Sequence, residues 1–141
     1  MNIAFFLYPK QEVVYLTPES TLRQTLERME YHRYTAVPIL DQNGEYIGTV
    51  TEGDLLWYMK NERGLSFEKT ETILLKDVPL RMNMEAVRID ADIRDLIVLV
   101  KAQNFVPVID DMNKFIGIVR RSDIIDYFSG QVWKTALPHS S

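Results

Sequence analysis

The stretch Ala36-Val37-Pro38-Ile39-Leu40-Asp41-Gln42-Asn43-Gly44-Glu45-Tyr46-Ile47-Gly48-Thr49-Val50-Thr51-Glu52-Gly53-Asp54 decides the fold, because the chain contains it twice. The second copy is Phe105-Val106-Pro107-Val108-Ile109-Asp110-Asp111-Met112-Asn113-Lys114-Phe115-Ile116-Gly117-Ile118-Val119-Arg120-Arg121-Ser122-Asp123. The offset of 69 residues, Pro38 to Pro107, holds without a gap from Val37/Val106 to Tyr58/Tyr127. Pro38/Pro107, Asp41/Asp110, Gly48/Gly117, Val50/Val119 and Asp54/Asp123 are identical pairs. Such self-similarity marks a repeated structural unit. Half of 141 residues buries too little apolar surface to be stable by itself, so the two halves are expected to pack together, pseudo-symmetrically.

Working outward, Ala36–Leu40 is an apolar strand, Asp41-Gln42-Asn43-Gly44 is turn chemistry and Tyr46–Thr51 is the returning strand of a β-hairpin. Glu52-Gly53-Asp54 opens a helix. Upstream, Val13–Leu16 reads as a short strand, and Ser20 or Thr21 caps a helix with Leu22, Leu26 and Met29 on one face. Ile3–Leu7 is an apolar lead-in packed on the body, with Tyr8-Pro9-Lys10 as a turn. The second half repeats the order, with a strand at Val87–Ile89, Asp90-Ala91-Asp92 as a cap, and a helix carrying Ile93, Leu96, Ile97 and Val100. A hairpin and a helix from Ser122 to Phe128 follow, with Gly130 as the helix stop. Strand–helix–strand–strand–helix, twice, predicts an α+β fold with helices on one face of a small mixed sheet in each half. The expected divisions are residues 1–62 for the first repeat with its lead-in, 63–84 for a connection holding short helical pieces, 85–129 for the second repeat and 130–141 for a loose tail.

Composition narrows the function. The net charge of -4 argues against broad binding to nucleic acid, which needs a basic face. With no cysteine there is no disulfide framework, thiolate metal site or cysteine nucleophile, and two histidines are too few for a histidine-rich metal site. No segment has the make-up of a signal peptide or a membrane span, so a cytoplasmic protein without membrane contact is expected. Glu52 and Asp54 stand two apart at a helix start, a spacing that does not place carboxylates across a substrate. No Ser/His/Asp group or Gly-rich phosphate loop stands out either, and the chain is not read as an enzyme.

The repeated Val-Pro-hydrophobic-hydrophobic-Asp hairpin, followed by Gly48-Thr49-Val50-Thr51-Glu52-Gly53-Asp54, resembles the CBS (cystathionine β-synthase) domain. That family's nucleotide pattern is Gly-hydrophobic-x-Thr/Ser-x-x-Asp, and the resemblance runs from about Val13 to Phe128 as a tandem pair, the Bateman module. It implies a regulatory module whose clefts take adenosine-containing ligands: AMP, ADP, ATP, S-adenosylmethionine or cyclic di-AMP. No cofactor is required, and the nucleotide is the regulatory ligand. The family uses the carboxylate opening the last helix for the ribose, and the Val-Pro segment of the other repeat for adenine. One implied cleft combines Thr17, Tyr34, Thr35, Ala36 and Pro38 with Arg120, Arg121 and Asp123. The other combines Asp90, Asn104, Phe105 and Pro107 with Thr51 and Asp54. Arg120 departs from the family's Thr/Ser and offers a fork suited to phosphate, which favours the Asp123 cleft for an anionic nucleotide. The run Tyr34-Thr35-Ala36 with paired arginines is similar to bacterial CBS-pair proteins that sense cyclic di-AMP. Family resemblance also implies a homodimer and a regulated partner protein.

Simpler readings stand beside these. Asp54 and Asp123 each suit a helix N-cap. At most one of Arg120 and Arg121, on adjacent positions at a strand end, points into a cleft. Tyr34 can serve to cover the core, His32 suits a helix C-terminus, and Trp57 suits core or a dimer surface. The competing function is an interaction module that dimerises or docks on a partner without a nucleotide.

Overall fold

The computed structural model describes residues 1–81 and 83–136. Among the described residues six strands and four α-helices follow in order: β1 (Tyr8–Pro9), α1 (Leu22–His32), β2 (Ala36–Leu40), β3 (Tyr46–Thr51), α2 (Glu52–Asn61), β4 (Val87–Arg88), α3 (Ile93–Val100), β5 (Phe105–Ile109), β6 (Phe115–Arg120) and α4 (Arg121–Ala136). The expected α+β class and repeated order are present. The chain forms two compact units, Val14–Met84 with Asn113–Phe115, and Met1–Val13 with Glu85–Met112 and Ile116–Ser141.

In the Val14–Met84 unit, β2 and β3 form the hairpin, with Pro38 facing Thr49 and Ile39 facing Gly48. The turn closes because Asp41 Oδ1 accepts the N–H groups of Asn43 (2.8 Å) and Glu45 (3.0 Å). Gly44 takes the left-handed conformation the turn needs, with φ 79°. The expected strand at Val13–Leu16 reduces to one parallel bridge, Leu16 to Ile39. Thr21 caps α1 in a reciprocal box with Gln24, at 3.0 and 2.9 Å. Its Leu22 and Met29 then join Leu16, Val37, Val50 and Leu55 in one core.

The connecting segment after α2 holds two single turns of 3-10 helix, Glu68–Glu71 and Leu75–Asp77. It is tied along the start of α1: Leu22 N–H donates to Ile73 C=O (2.8 Å), Leu75 N–H to Ser20 C=O (2.8 Å) and Lys76 N–H to Pro18 C=O (3.0 Å). Leu75 and Val78 are buried in the same core.

In the other unit the sheet order is β1-β6-β5-β4, with β1 antiparallel to β6 and β4 parallel to β5. Here the expectation of a turn at Tyr8-Pro9-Lys10 is corrected. Tyr8 pairs with Ile118 and Pro9 with Gly117, an edge strand being the place where a ladder tolerates proline's missing N–H. Ahead of it Ile3–Phe6 forms a 3-10 turn whose Ile3 and Phe6 are buried with Val87, Leu96, Val106 and Val119. Asp92 caps α3 by accepting the Arg94 N–H (2.8 Å), and the Arg94 side chain holds the Asp92 carboxyl down to about 2. Gln103 is buried, and its amide pairs with the backbone at both ends. Its Oε1 accepts the Glu85 N–H (2.9 Å), and its Nε2 donates to the C=O groups of Glu85 (3.1 Å) and Phe105 (3.2 Å).

The last helix does not stop at Gly130. It continues to Ala136, because an exposed glycine within a helix costs only about 1 kcal/mol relative to alanine and terminates it only where a left-handed residue is required. Of the expected tail, residues 130–136 are helical and residues 137–141 lie outside the described residues.

Candidate functional site

The two copies of the Gly-x-x-Thr-x-x-Asp motif put different chemistry at the start of their helices. In the first copy Thr51 is the N-cap of α2, and Asp54 is the third helical residue. Thr51 Oγ1 accepts the Asp54 N–H (3.2 Å), and Asp54 Oδ2 accepts the Thr51 N–H (2.8 Å). Asp54 is thus the partner in a capping box rather than the cap itself. Its second oxygen, Oδ1, accepts the N–H of Arg81 at 2.8 Å, and the residue is only 2% exposed. Both carboxylate oxygens are engaged inside the same unit.

In the second copy an arginine replaces the threonine, so no capping box can form. Arg120 Nε instead donates to Asp123 Oδ2 at 2.8 Å, and both side chains are partly exposed, at 44% and 34%. The Arg120 guanidinium lies 4.1 Å from the centre of the Tyr8 ring, a cation–π contact. These groups border a cavity of about 290 Å³, also lined by Phe5, Asp126 and Tyr127. A carboxylate, a guanidinium fork and aromatic faces at a helix start together suit a ribose, an anion and a flat heterocycle.

Arg121 is turned to another task. Its Nε donates to Val100 C=O (2.8 Å) and Gln103 C=O (3.2 Å), satisfying carbonyls at the end of α3. Of the two arginines, Arg120 is therefore the one at the cavity. Sequence reasoning missed Tyr8, hidden by its turn-like Tyr-Pro-Lys context. It also missed Arg81, whose part is played by its backbone.

Thr17, Tyr34, Thr35, Ala36 and Pro38 all belong to the Val14–Met84 unit. Tyr34 is 40% exposed, and His32 stacks on its ring at 5.2 Å and 10°, covering one face. Thr35 C=O accepts the Glu52 N–H at 3.0 Å, joining the entry of β2 to the start of α2. The Thr17 hydroxyl lies 3.2 Å from Ser20 Oγ, and Pro38 C=O accepts the Leu16 N–H (3.0 Å). Of the second expected set, Asp90 is paired with Arg88 at 3.1 Å on the surface. Asn104 C=O accepts the Arg121 N–H (2.9 Å), while Phe105 and Pro107 are buried in β5. Among the described residues no group of three or more histidine, aspartate or glutamate side chains could hold a metal ion, and no helix is long and apolar enough to cross a membrane.

A twice-used hairpin and helix, with a carboxylate at each helix start, defines a paired-repeat module. The CBS domain model matches residues 7–61 and 75–130, and the chain belongs to that family as a tandem pair. Among curated relatives, it is 25% identical over 127 residues to an uncharacterized protein of Methanocaldococcus jannaschii, covering 89% of this chain and 44% of that one. It is 24% identical over 148 residues to the chloroplastic CBS domain-containing protein CBSX2 of Arabidopsis thaliana, covering 88% and 62%. The chain thus spans less than two thirds of the length of these relatives. Among solved structures, CBSX2 in complex with AMP has a TM-score of 0.72 at 25% identity, covering 94% of this chain and 98% of that one. Listeria monocytogenes CbpB in complex with c-di-AMP has a TM-score of 0.79 at 18% identity, covering 93% and 97%, a likeness of fold.

Proposed function

We propose that this protein is a nucleotide sensor that binds an adenine nucleotide (AMP, ADP, ATP or cyclic di-AMP) through Asp123, does no chemistry on it, and signals to a partner protein. The observation that carries this reading is the contrast between the two motif carboxylates. Asp123 is partly exposed at a cavity and held by a movable side chain, whereas Asp54 is sealed by backbone groups. Ribose hydroxyls can displace Arg120 from Asp123, and the released guanidinium is then free to take phosphate oxygens. The AMP complex of CBSX2 supports the ligand class, and the Tyr34-to-Pro38 segment is the adenine seat that family resemblance implies.

Titration calorimetry with AMP on wild type and Asp123→Asn tests the reading. Asparagine keeps the size of the side chain, and the partly exposed ion pair with Arg120 that it gives up is worth at most about 1 kcal/mol, so melting is expected to change little. Losing a charge-assisted ribose contact of roughly 1.5–3 kcal/mol weakens binding about 10- to 150-fold. Equal affinity of the two proteins, or no adenine ligand bound by wild type at millimolar concentration, overturns it.

One observation favours an assembly role as well. A groove of about 1000 Å³ in the Val14–Met84 unit is lined by Leu26, Met29, Leu55, Leu56, Met59 and Phe67, with Leu56 and Phe67 more than half exposed. Glu30, Arg33 and Glu52 also line it; a groove of this size combining exposed apolar and charged side chains marks an interaction site, and a two-fold homodimer is the commonest way to cover one. Light scattering at micromolar concentration is expected to give twice the 16.5 kDa chain mass; the monomer mass alone excludes the dimer.

A further inference from the structure

The first repeat keeps the family's full motif, yet its glycine and its aspartate are both occupied by the chain's own connecting segment. Leu80 lies so close over Gly48 that a methyl group added there would stand 2.9 Å from Leu80 Cδ1. The next residue, Arg81, donates its backbone N–H to Asp54 Oδ1 at 2.8 Å. Upstream, the segment is held by three backbone hydrogen bonds to the start of α1 and by buried Leu75 and Val78. Leu80–Arg81 is therefore the end of a strap tied down along its length, not a loop tip resting by chance.

We infer that Asp54 is a clasp for the connecting segment and not a ribose ligand, so that Leu80 and Arg81 act as a built-in competitor limiting the chain to one nucleotide. A carboxylate oxygen can accept two hydrogen bonds, but Asp54 is only 2% exposed, so no ribose hydroxyl reaches Oδ1 while the segment that brings the Arg81 N–H lies over it. Oδ2 is already committed to the Thr51 N–H that starts α2. A strap that is part of the same chain competes at high effective concentration, against which a free nucleotide at micromolar level loses. Asp123, paired with the partly exposed Arg120 side chain, meets no such backbone donor among the described residues and remains open to exchange.

The nucleotide count rests on the Asp123 reading above; the clasp itself does not, and the experiment separates them. Hydrogen exchange at the Arg81 amide is measured in wild type, Thr51→Ala and Asp54→Ala, alongside AMP titration of wild type and Asp54→Asn. The Arg81 amide is expected to be protected in wild type and in Thr51→Ala, which removes only the helix cap, and to exchange at least about tenfold faster in Asp54→Ala, since the hydrogen bond that slows it is gone. AMP is expected to bind wild type at one per chain, with count and affinity unchanged within about twofold in Asp54→Asn. An unprotected wild-type amide overturns the clasp, and so does a second AMP per chain that disappears in Asp54→Asn. If AMP binds nowhere, the sensor reading fails and the amide exchange alone decides the clasp. If Asp54→Ala does not fold, wild-type protection retained in Thr51→Ala supports the clasp and its absence overturns it.

Discussion

Gly117→Ala is expected to cost about 3 kcal/mol of stability, while Gly48→Ala, at the same position of the other repeat, costs no more than about 1. The difference lies in what the new methyl group meets. At Gly117 a Cβ would stand 2.3 Å from the backbone oxygen of Tyr8, and also 2.9 Å from Leu7 Cδ1. Relieving that contact requires β1 to leave β6, which removes the pairing of Tyr8 and Pro9 and loosens the lead-in that buries Ile3 and Phe6. At Gly48 the close atom among the described residues is the far end of the Leu80 side chain, which can turn aside. Urea unfolding checks both: the midpoint falls by roughly 1–3 M for Gly117→Ala and by far less for Gly48→Ala. Equal midpoints for the two variants would contradict the packing described for β1.

The second large effect is expected at Gln103, the buried amide joining β5 to the segment ahead of β4. Gln103→Leu preserves approximate volume but strands the Glu85 N–H and the C=O groups of Glu85 and Phe105. Each unsatisfied group costs about 1–3 kcal/mol when buried; the Phe105 C=O is buried and the Glu85 groups only partly so, giving a loss of about 3 kcal/mol. Gln103→Glu sharpens the test through pH. An ionised carboxylate still accepts from Glu85 but faces two carbonyls, so its folded pKa rises above the ordinary glutamate value. The protonated form can donate. Stability is therefore fully present below the unfolded pKa of about 4.3 and is lost as pH rises through the folded pKa. A Gln103→Glu melting temperature that climbs from pH 4 to pH 7 would refute the assignment.

These two residues show where reading the chain stopped short. Gly117 was visible as half of a repeated pair, since the hairpins and helices follow from apolar patterning and turn chemistry that act within a dozen residues. Even the exchange of Gly44 for Asn113 at the second turn fits, because both take a left-handed conformation, φ 79° and 65°. What lies against Gly117 was not visible. Tyr8 comes more than a hundred residues earlier, and a tyrosine before a proline carries as much turn signal as strand signal. Gln103 carries no signal of its role in the sequence, because a single amide announces neither burial nor partners. The site divided in the same way. Asp54 and Asp123 were evident from the motif, but their unequal states depend on Arg81, whose side chain has no part in the hydrogen bond. No pattern of side-chain types can reveal a backbone donor. Likewise Arg120 and Arg121 look interchangeable in sequence; the end of α3 is what takes one of them away.

The pairing of β1 with β6 has a consequence for how the polypeptide comes into being. Tyr8 and Ile118 are separated by about 110 residues, so this edge of the sheet forms only after both repeats have left the ribosome. The hairpin, helices and strap of Val14–Met84 close over much shorter loops and can settle while the second repeat is still being made. During that interval Ile3, Phe5 and Phe6 wait without their partners, so the sheet that carries Arg120 is completed by an apolar segment that has spent the longest time exposed.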